Sequence, residues 1–239
     1  MTNLSVNLNK VALLRNSRSF GIPNVIKAAS TCIQAGAHGI TVHPRPDERH
    51  IKPEDIYELA KMLTFEFNIE GNPSLQFLEI IREVKPTQCT LVPDAPEAFT
   101  SDHGWDLATN GFWLKPIIQE LKEIGIRVSL FIDPDLTEIE RAKEIGADRI
   151  ELYTEPYATA FRNNDVELVL HQYKQAAKKA QEIGLGVNAG HDLNLQNLEK
   201  FCSIPNIIEV SIGHALISDA LEMGMFNAVK KYLSILTHN

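Results

Sequence analysis

Positive charge is in deficit in this chain. Its 23 lysines and arginines are outnumbered by 31 aspartates and glutamates, a formal net charge of -8. A surface of that balance does not neutralise a nucleic-acid backbone, which argues against a general nucleic-acid binder. Any anionic ligand therefore has to be gathered by a local cluster of cations. Cysteine is scarce as well: Cys32, Cys89 and Cys202 stand far apart, none in a metal-type pair, so three buried free thiols in a reducing cytosol are expected. No uncharged run approaches the roughly 18 residues that a membrane span requires. The opening MTNLSVNLNK lacks the apolar core of a signal peptide, and a cytoplasmic protein is expected. A Walker loop, a GxGxxG fingerprint and an HExxH zinc motif are all missing. No linker rich in Pro, Gly or Ser and no low-complexity tract divides the 239 residues, which are read as one domain.

What is present is an alternation of short apolar runs with amphipathic segments along the whole length. Strands are expected for LSVN ending at Asn7, GITVH at His43, FEFNIE at Glu70 and QCTLV at Val92. They continue with RVSLFID ending at Asp133, RIELYT at Thr154, LGVN at Asn188 and IIEVSI at Ile212. Helix-like stretches lie between them, among them 24–35, 54–64, 74–83, 112–124 and 165–183. QAGAHGI, EIGIRV, EIGADRI and EIGLGV each place a glycine where a helix has to stop before the next strand. Eight strands separated by helices predict the α/β class and a closed (β/α)8 TIM barrel, with a doubly wound open sheet as the rival. Residues 93–111, PDAPEAFTSDHGWDLATNG, show neither period and are read as a lid or binding loop, with Thr100, Ser101 and His103 clustered on it.

In such a barrel the reactive groups stand just past the C-terminal ends of the strands. The first strand delivers Asn7, Asn9 and Lys10, with Arg15 and Arg18 following. The second delivers His43, Arg45 and His50 on a loop that Pro44 and Pro46 stiffen and keep from becoming helical. The third ends in Glu70, the seventh in Asn188 with His191 after it, and the eighth leads to Gly213 and His214. Surrounded by apolar strands, Glu70 is expected to have a raised pKa and to act as a base near neutral pH, with His43 and His191 as proton carriers. In SIGHALISDAL, a short helix over 215–221 would aim its first free N–H groups at a phosphate, and NAGHDL would supply the other side. His43 and His50 have no Asp or Cys partner at a ligand spacing, so no metal is expected.

VNLNKVALLRNSR, GITVHPRPDERHI, FNIE, VSLFID, VNAGH and IGHALI resemble, in order and spacing, segments of the pyridoxine 5′-phosphate synthase family, over essentially the whole chain. The resemblance implies a TIM barrel with additional helices, a homo-octamer, and no metal or organic cofactor. It implies condensation of 1-deoxy-D-xylulose 5-phosphate with 3-amino-2-oxopropyl phosphate to pyridoxine 5′-phosphate, phosphate and water. Carried over by position, His43 and Glu70 are proton acceptors and His191 a proton donor. Asn7, Arg18, Gly213 and His214 hold the amino-ketone phosphate, and Arg45, His50 and Thr100 contact the sugar phosphate. The chain departs from the pattern where many members read N-x-D-H: here Asn7-Leu8-Asn9-Lys10 puts an amide and an amine at positions that contact the sugar phosphate. Lys10 still offers a point charge to a phosphate. Asp192 follows His191 where glycine is usual and is expected to touch substrate through its backbone. Two other readings remain on the residues alone: a phosphosugar lyase or aldolase using Lys10 as a covalent amine, and a non-catalytic phosphometabolite-binding barrel.

Overall fold

The computed structural model describes residues 1–95 and 100–237. Eight parallel strands follow one another around a closed barrel: β1 (Asn3–Asn7), β2 (Gly39–Val42), β3 (Glu66–Gly71), β4 (Gln88–Leu91), β5 (Arg127–Ile132), β6 (Arg149–Tyr153), β7 (Gly186–Gly190) and β8 (Glu209–Ile212). The open-sheet alternative is excluded by the ladder that returns β8 to β1, with Leu4 opposite Val210 and Val6 opposite Ile212. The surrounding helices are α1 (Asn9–Asn16), α2 (Val25–Gln34), α3 (Pro53–Met62), α4 (Leu75–Val84), α5 (Leu107–Glu123) and α6 (Leu136–Glu144). They continue with α7 (Glu155–Arg162), α8 (Val166–Glu182), α9 (Leu198–Phe201), α10 (His214–Met223) and α11 (Met225–Thr237). The helix-ending glycines take the left-handed conformation expected of them, Gly36 at φ 100° and Gly146 at φ 98°, where a Cβ would be strained. Among the described residues no helix is long and apolar enough to cross a membrane.

The strands are buried on both faces, but the two faces differ in chemistry. Leu4, Val6, Ile40, Val42, Leu130 and Leu152 belong to the apolar set that packs outward, beneath the helices. The residues of opposite parity are polar: Ser5, Thr41, Asn68, Thr90, Glu151 and Asn188 are all buried, and alternation turns them into the barrel. They satisfy one another across strands. The hydroxyls of Ser5 and Thr41 are 2.7 Å apart, Thr90 Oγ1 donates to Asn68 Oδ1 at 3.0 Å, and Asn188 Nδ2 donates to Glu209 Oε1 at 3.3 Å. A barrel interior is ordinarily packed with branched apolar side chains; here pairing is what makes polar burial tolerable. The expectation that apolar strands surround Glu70 is thereby corrected, because its neighbours inside the barrel are amides and other acids.

Several boundaries differ from the sequence expectation, most by a residue or two; three bear on the site. Strand β7 runs to Gly190, so Asn188 lies within the strand, bonded to Gln88 and Glu209, and is not at the rim. Helix α1 begins at Asn9, which makes Asn9 and Lys10 first-turn residues. Helix α5 begins at Leu107 because the side chain of Asp106 accepts from Thr109 N at 3.2 Å, an N-cap that releases the helix from the preceding segment. That segment is anchored by buried Trp105, whose Nε1 donates to Leu91 O at 2.9 Å. Residues 96–99, part of the stretch read as a lid, lie outside the described residues.

Candidate active site

Where the strands end, a cavity of about 440 Å³ opens. It receives Asn7, Asn9 and Lys10 from the first strand end, His43, Arg45 and His50 from the second, and Glu70 from the third. Thr100 joins from the loop after β4, His191 and Asp192 from that after β7, and Gly213 and His214 from that after β8. Of the residues to which the resemblance gives a substrate contact, Arg18 alone is not among its lining. It is exposed beyond α1 and borders a separate open groove with Arg15 and Asn16. Arg15 is a clamp on the second loop, pairing with Asp55 and donating to His50 O at 3.0 Å. His103 is exposed beside Asp102 and does not line the cavity.

His43 and Glu70 face each other, with Nδ1 to Oε2 at 3.9 Å, inside ion-pair range and beyond a direct hydrogen bond. The backbone of His43 is fixed from the first strand end: its N–H donates to Asn9 Oδ1 at 2.9 Å, and Asn9 N–H donates to Asn7 Oδ1 at 3.0 Å. The Asn9 carbonyl is therefore engaged in holding His43. Asn9→Ala is expected to lower kcat about tenfold and to destabilise the fold by about 1 kcal/mol, the size of one hydrogen bond; steady-state kinetics and a thermal melt check both. The ring of His50 meets that of His43 edge to face at 6.3 Å, and its Nδ1 accepts from Ile51 N–H at 2.9 Å, leaving Nε2 for the cavity. Arg45 is drawn inward by a buried pair with Asp94 at 2.6 Å, and Ser101 Oγ donates to the same oxygen at 2.6 Å. This ties the loop after β4 to the site.

Burial governs the titration of these groups. It pushes the Glu70 carboxyl well above its ordinary range, aided by Glu151, Asp94 and Glu209 and opposed by Arg45. Burial pushes His43 well below its usual value, helped by Arg45 and His50, and lowers His191. It also takes His50 down to about 4, with Arg45, Arg49 and Lys10 adding to the shift. These shifts favour the protonated carboxyl at Glu70 and the uncharged imidazole at His43, His50 and His191. Proton donors and acceptors stand side by side with little charge between them.

The remaining two corners are built by backbone. His191 and Asp192 both have positive φ, 84° and 57°, a rare pair for non-glycine residues and a mark of functional strain. The turn is held by Thr154 Oγ1, which donates to Gly190 O at 2.6 Å and to His191 O, and by Asn197 Nδ2 on Asp192 O at 3.0 Å. The His191 ring is wedged between Phe131 and Tyr153, each 5.3 Å away. At the start of α10, Ile217 N–H bonds back to Gly213 O, which leaves the preceding amides free for an anion. No acidic residue occupies that first turn. A Cβ on Gly213 would meet Asn7 Cβ at 3.1 Å, so any side chain there would press on the first strand end.

Residues 4–238 match the family model described as pyridoxal phosphate biosynthesis protein PdxJ. The pyridoxine 5′-phosphate synthase of Porphyromonas gingivalis is 52% identical, over 97% of this chain and 98% of its own. That of Bacteroides fragilis is 53% identical, over 99% of this chain and 100% of its own. The chain belongs to the PdxJ family of pyridoxine 5′-phosphate synthases. Among solved structures, phosphoribosylanthranilate isomerase from Thermotoga maritima shares the barrel at 13% identity and TM-score 0.62, covering 100% of both chains. Thiamine phosphate pyrophosphorylase from Pyrococcus furiosus does so at 13% identity and TM-score 0.61, covering 99% of this chain and 96% of its own. At that identity the likeness carries the fold alone. With PdxJ membership the condensing synthase stands, and the lyase and the non-catalytic binder fall away.

Several PdxJ cavity residues were not picked out from the sequence: Arg49, Glu151, Tyr153, Glu155 and Ser211. Glu151 is the most telling. It is 3% exposed, its Oε2 has no hydrogen-bond partner among the described residues, and burial with Glu209 beside it takes its carboxyl up to about 8. The signal was available in RIELY, where an acid flanked by Ile150 and Leu152 in a strand of period two has to face the barrel interior.

Proposed function

We propose that this PdxJ chain condenses 1-deoxy-D-xylulose 5-phosphate with 3-amino-2-oxopropyl phosphate in the one cavity, giving pyridoxine 5′-phosphate, inorganic phosphate and water. The observation that carries this reading is the convergence of His43, Glu70 and His191 on the same cavity as the free amides of α10. Joining the amine to the sugar ketone, expelling water and closing the ring are proton transfers at nitrogen, oxygen and carbon. Each positioned acid or base contributes about 10²- to 10⁴-fold to such a step. Arriving phosphates raise the proton affinity of the histidines, so His191 takes the role of donor once the substrates are in. Glu70 begins as an acid in the closed site and returns as a base, with His43 taking the second proton 3.9 Å away. Lys10, Arg45 and His50 face the sugar phosphate with Thr100, and Asn7, Gly213 and His214 the amino-ketone phosphate. Arg18 completes this second set only by moving in from its exposed segment.

One barrel domain per chain, a cytoplasmic location and an octamer belong to the same proposal. Exposed apolar side chains such as Phe112 at 94% and Phe20 at 70% are the kind of surface that subunit contacts cover. Light scattering reads the assembly directly, and the expected mass is eight chains. The function itself is tested by mixing purified protein with both phosphates and following product by absorbance and mass. Pyridoxine 5′-phosphate is expected; turnover of a different phosphosugar with neither substrate consumed would overturn the reading.

A further inference from the structure

The backbone of His50 is held from outside the cavity. Its side chain lines that space with His43 and Arg45, while Arg15 and Asn16, in the last turn of α1, border the separate open groove. His50 O accepts two hydrogen bonds from them, Asn16 Nδ2 at 2.7 Å and Arg15 Nη2 at 3.0 Å. Asn16 Nδ2 also donates to Glu48 O at 3.2 Å, and Asn16 Oδ1 accepts from Arg15 Nε at 2.9 Å. The remaining arm of the guanidinium, Nη1, pairs with buried Asp55, whose second oxygen accepts from Lys52 N at 2.9 Å where α3 begins. Each nitrogen of one planar group thus serves a different partner, and the β2 loop is tied to α1 and α3 on both sides of His50. A flat fork of fixed geometry does this; an ammonium on a flexible stem does not.

The ring at the inner end of this network has its chemistry fixed as well. The N–H of Ile51, which can only donate, points at His50 Nδ1 at 2.9 Å, so Nδ1 carries the lone pair and the ring proton stands on Nε2. Phosphates entering the cavity raise the proton affinity of the imidazoles around it. At His50 a second proton could enter only at Nδ1, the atom that the Ile51 amide already occupies. Burial, with Arg45, Arg49 and Lys10 adding and Asp47 opposing, takes the ring down to about 4, in the same direction. The imidazole therefore offers a phosphate oxygen a neutral N–H, and the positive charge is left to Lys10 and Arg45.

We propose that Arg15 and Asn16, braced by Asp55, are positioning residues that aim His50 as an uncharged N–H donor at the sugar phosphate. This rests on the condensation proposed above, in which His50 faces that phosphate. Neither Arg15 nor Asn16 lines the cavity, so their influence on the reaction passes through the carbonyl of His50. It reaches one substrate only, because the amides at the start of α10 follow another strand and share none of these bonds.

Steady-state kinetics on the intact protein, with each phosphate varied in turn, tests this. Asn16→Ala is expected to raise KM for the sugar phosphate about threefold and Arg15→Lys about tenfold, the range of one hydrogen bond. KM for the amino-ketone phosphate stays within about twofold of wild type in both, a split that a merely structural role would not produce. His50→Ala is expected to raise KM for the sugar phosphate about thirtyfold, the worth of a hydrogen bond to a charged group. His50→Gln, whose amide offers a neutral N–H at about the reach of Nε2, raises it only about threefold. Adding Asn16→Ala to His50→Ala then costs nothing further, since the two act as a unit. Three results overturn the assignment: an Arg15→Lys enzyme with both KM values raised equally, an Asn16→Ala effect undiminished in the absence of the His50 ring, or a loss in His50→Gln as large as that in His50→Ala. If the wild type makes pyridoxine 5′-phosphate yet the variants show no such split, the positioning alone is wrong; if it makes none, the underlying function is.

Discussion

Replacing Glu70 by glutamine is expected to lower kcat about 10³-fold while leaving the fold and the KM for either phosphate nearly unchanged. The argument is geometric before it is electrostatic. Glu70 is buried at the end of β3, faces His43 at 3.9 Å, and has Asn68 Nδ2 at 3.5 Å from its other oxygen. Glutamine fills the same volume and keeps the contact to Asn68, but it neither gives up nor accepts a proton. The free amides of α10 belong to another strand end and Arg45 is held by Asp94, so substrate binding is spared. The pH profile should change with it. In the wild type, burial and the neighbouring acids hold the Glu70 carboxyl well above its ordinary range, and burial holds His43 well below its own. The acidic limb of kcat/KM for the free enzyme is therefore expected below pH 6.5, the unperturbed histidine value. A Glu70→Gln enzyme within tenfold of wild type, with an intact circular dichroism melt, would remove Glu70 from the chemistry.

The second large effect couples activity to stability with opposite signs. Glu151→Gln is expected to lower turnover by about 10²-fold and yet to stabilise the protein above pH 7. The Glu151 carboxyl is raised to about 8 in the folded chain by burial and by Glu209, against an ordinary value of 4.5. Between those two values the folded chain keeps a proton that the unfolded chain has released. The free energy of unfolding then falls as pH rises, and the loss is complete above the folded value. Glu209, raised to about 7 by burial and Glu66, acts in the same direction, and so does Glu70. The histidines act in the other direction, since His50, His43 and His191 are lowered. Their contribution rises with pH and is complete near neutrality. From pH 7 to 9 the buried acids lead the slope, joined toward pH 9 by the thiols of Cys32, Cys89 and Cys202, which burial raises, and Glu151→Gln removes one of the acids. Denaturant melts at pH 5 and pH 9 should show little difference at the lower pH and a gain on the order of 2–4 kcal/mol for the variant at the higher. A variant less stable than wild type at pH 9 would contradict the buried, partnerless placement of this carboxyl.

Much of this was legible in the sequence because strand ends are marked by abrupt changes of chemistry. GITVHPRP passes from β-branched residues to histidine and proline within a few positions, and that is where β2 stops and His43 enters the cavity. Where the change is gradual, the reading slipped. Ala189 and Gly190 carry no strand signature, so β7 was ended two residues early and Asn188 was placed at the rim; cross-barrel bonds to Gln88 and Glu209 hold it inside. Polar first-turn residues hid the start of α5, which Asp106 caps. Residue type alone did not separate substrate contacts from supports: Asn9 supplies an acceptor to a backbone amide of the site, a choice set by direction in space. Arg18 has the right chemistry and sits in an exposed segment outside the cavity. Glu151 lies within RIELYT rather than at its end, where reactive groups are sought, whereas the inner face of this barrel is polar almost throughout.

The central claim is that His43, Glu70 and His191 act on a pair of phosphorylated substrates lying in one cavity. A crystal structure of the Glu70→Gln protein soaked with both substrates measures this most directly. The account predicts one phosphate on the free amides at the start of α10, the other beside Lys10 and His50, and the carbons to be joined between residue 70 and His191. Phosphates bound on separate faces of the barrel, or a filled cavity whose reacting carbons lie out of reach of all three side chains, would contradict it.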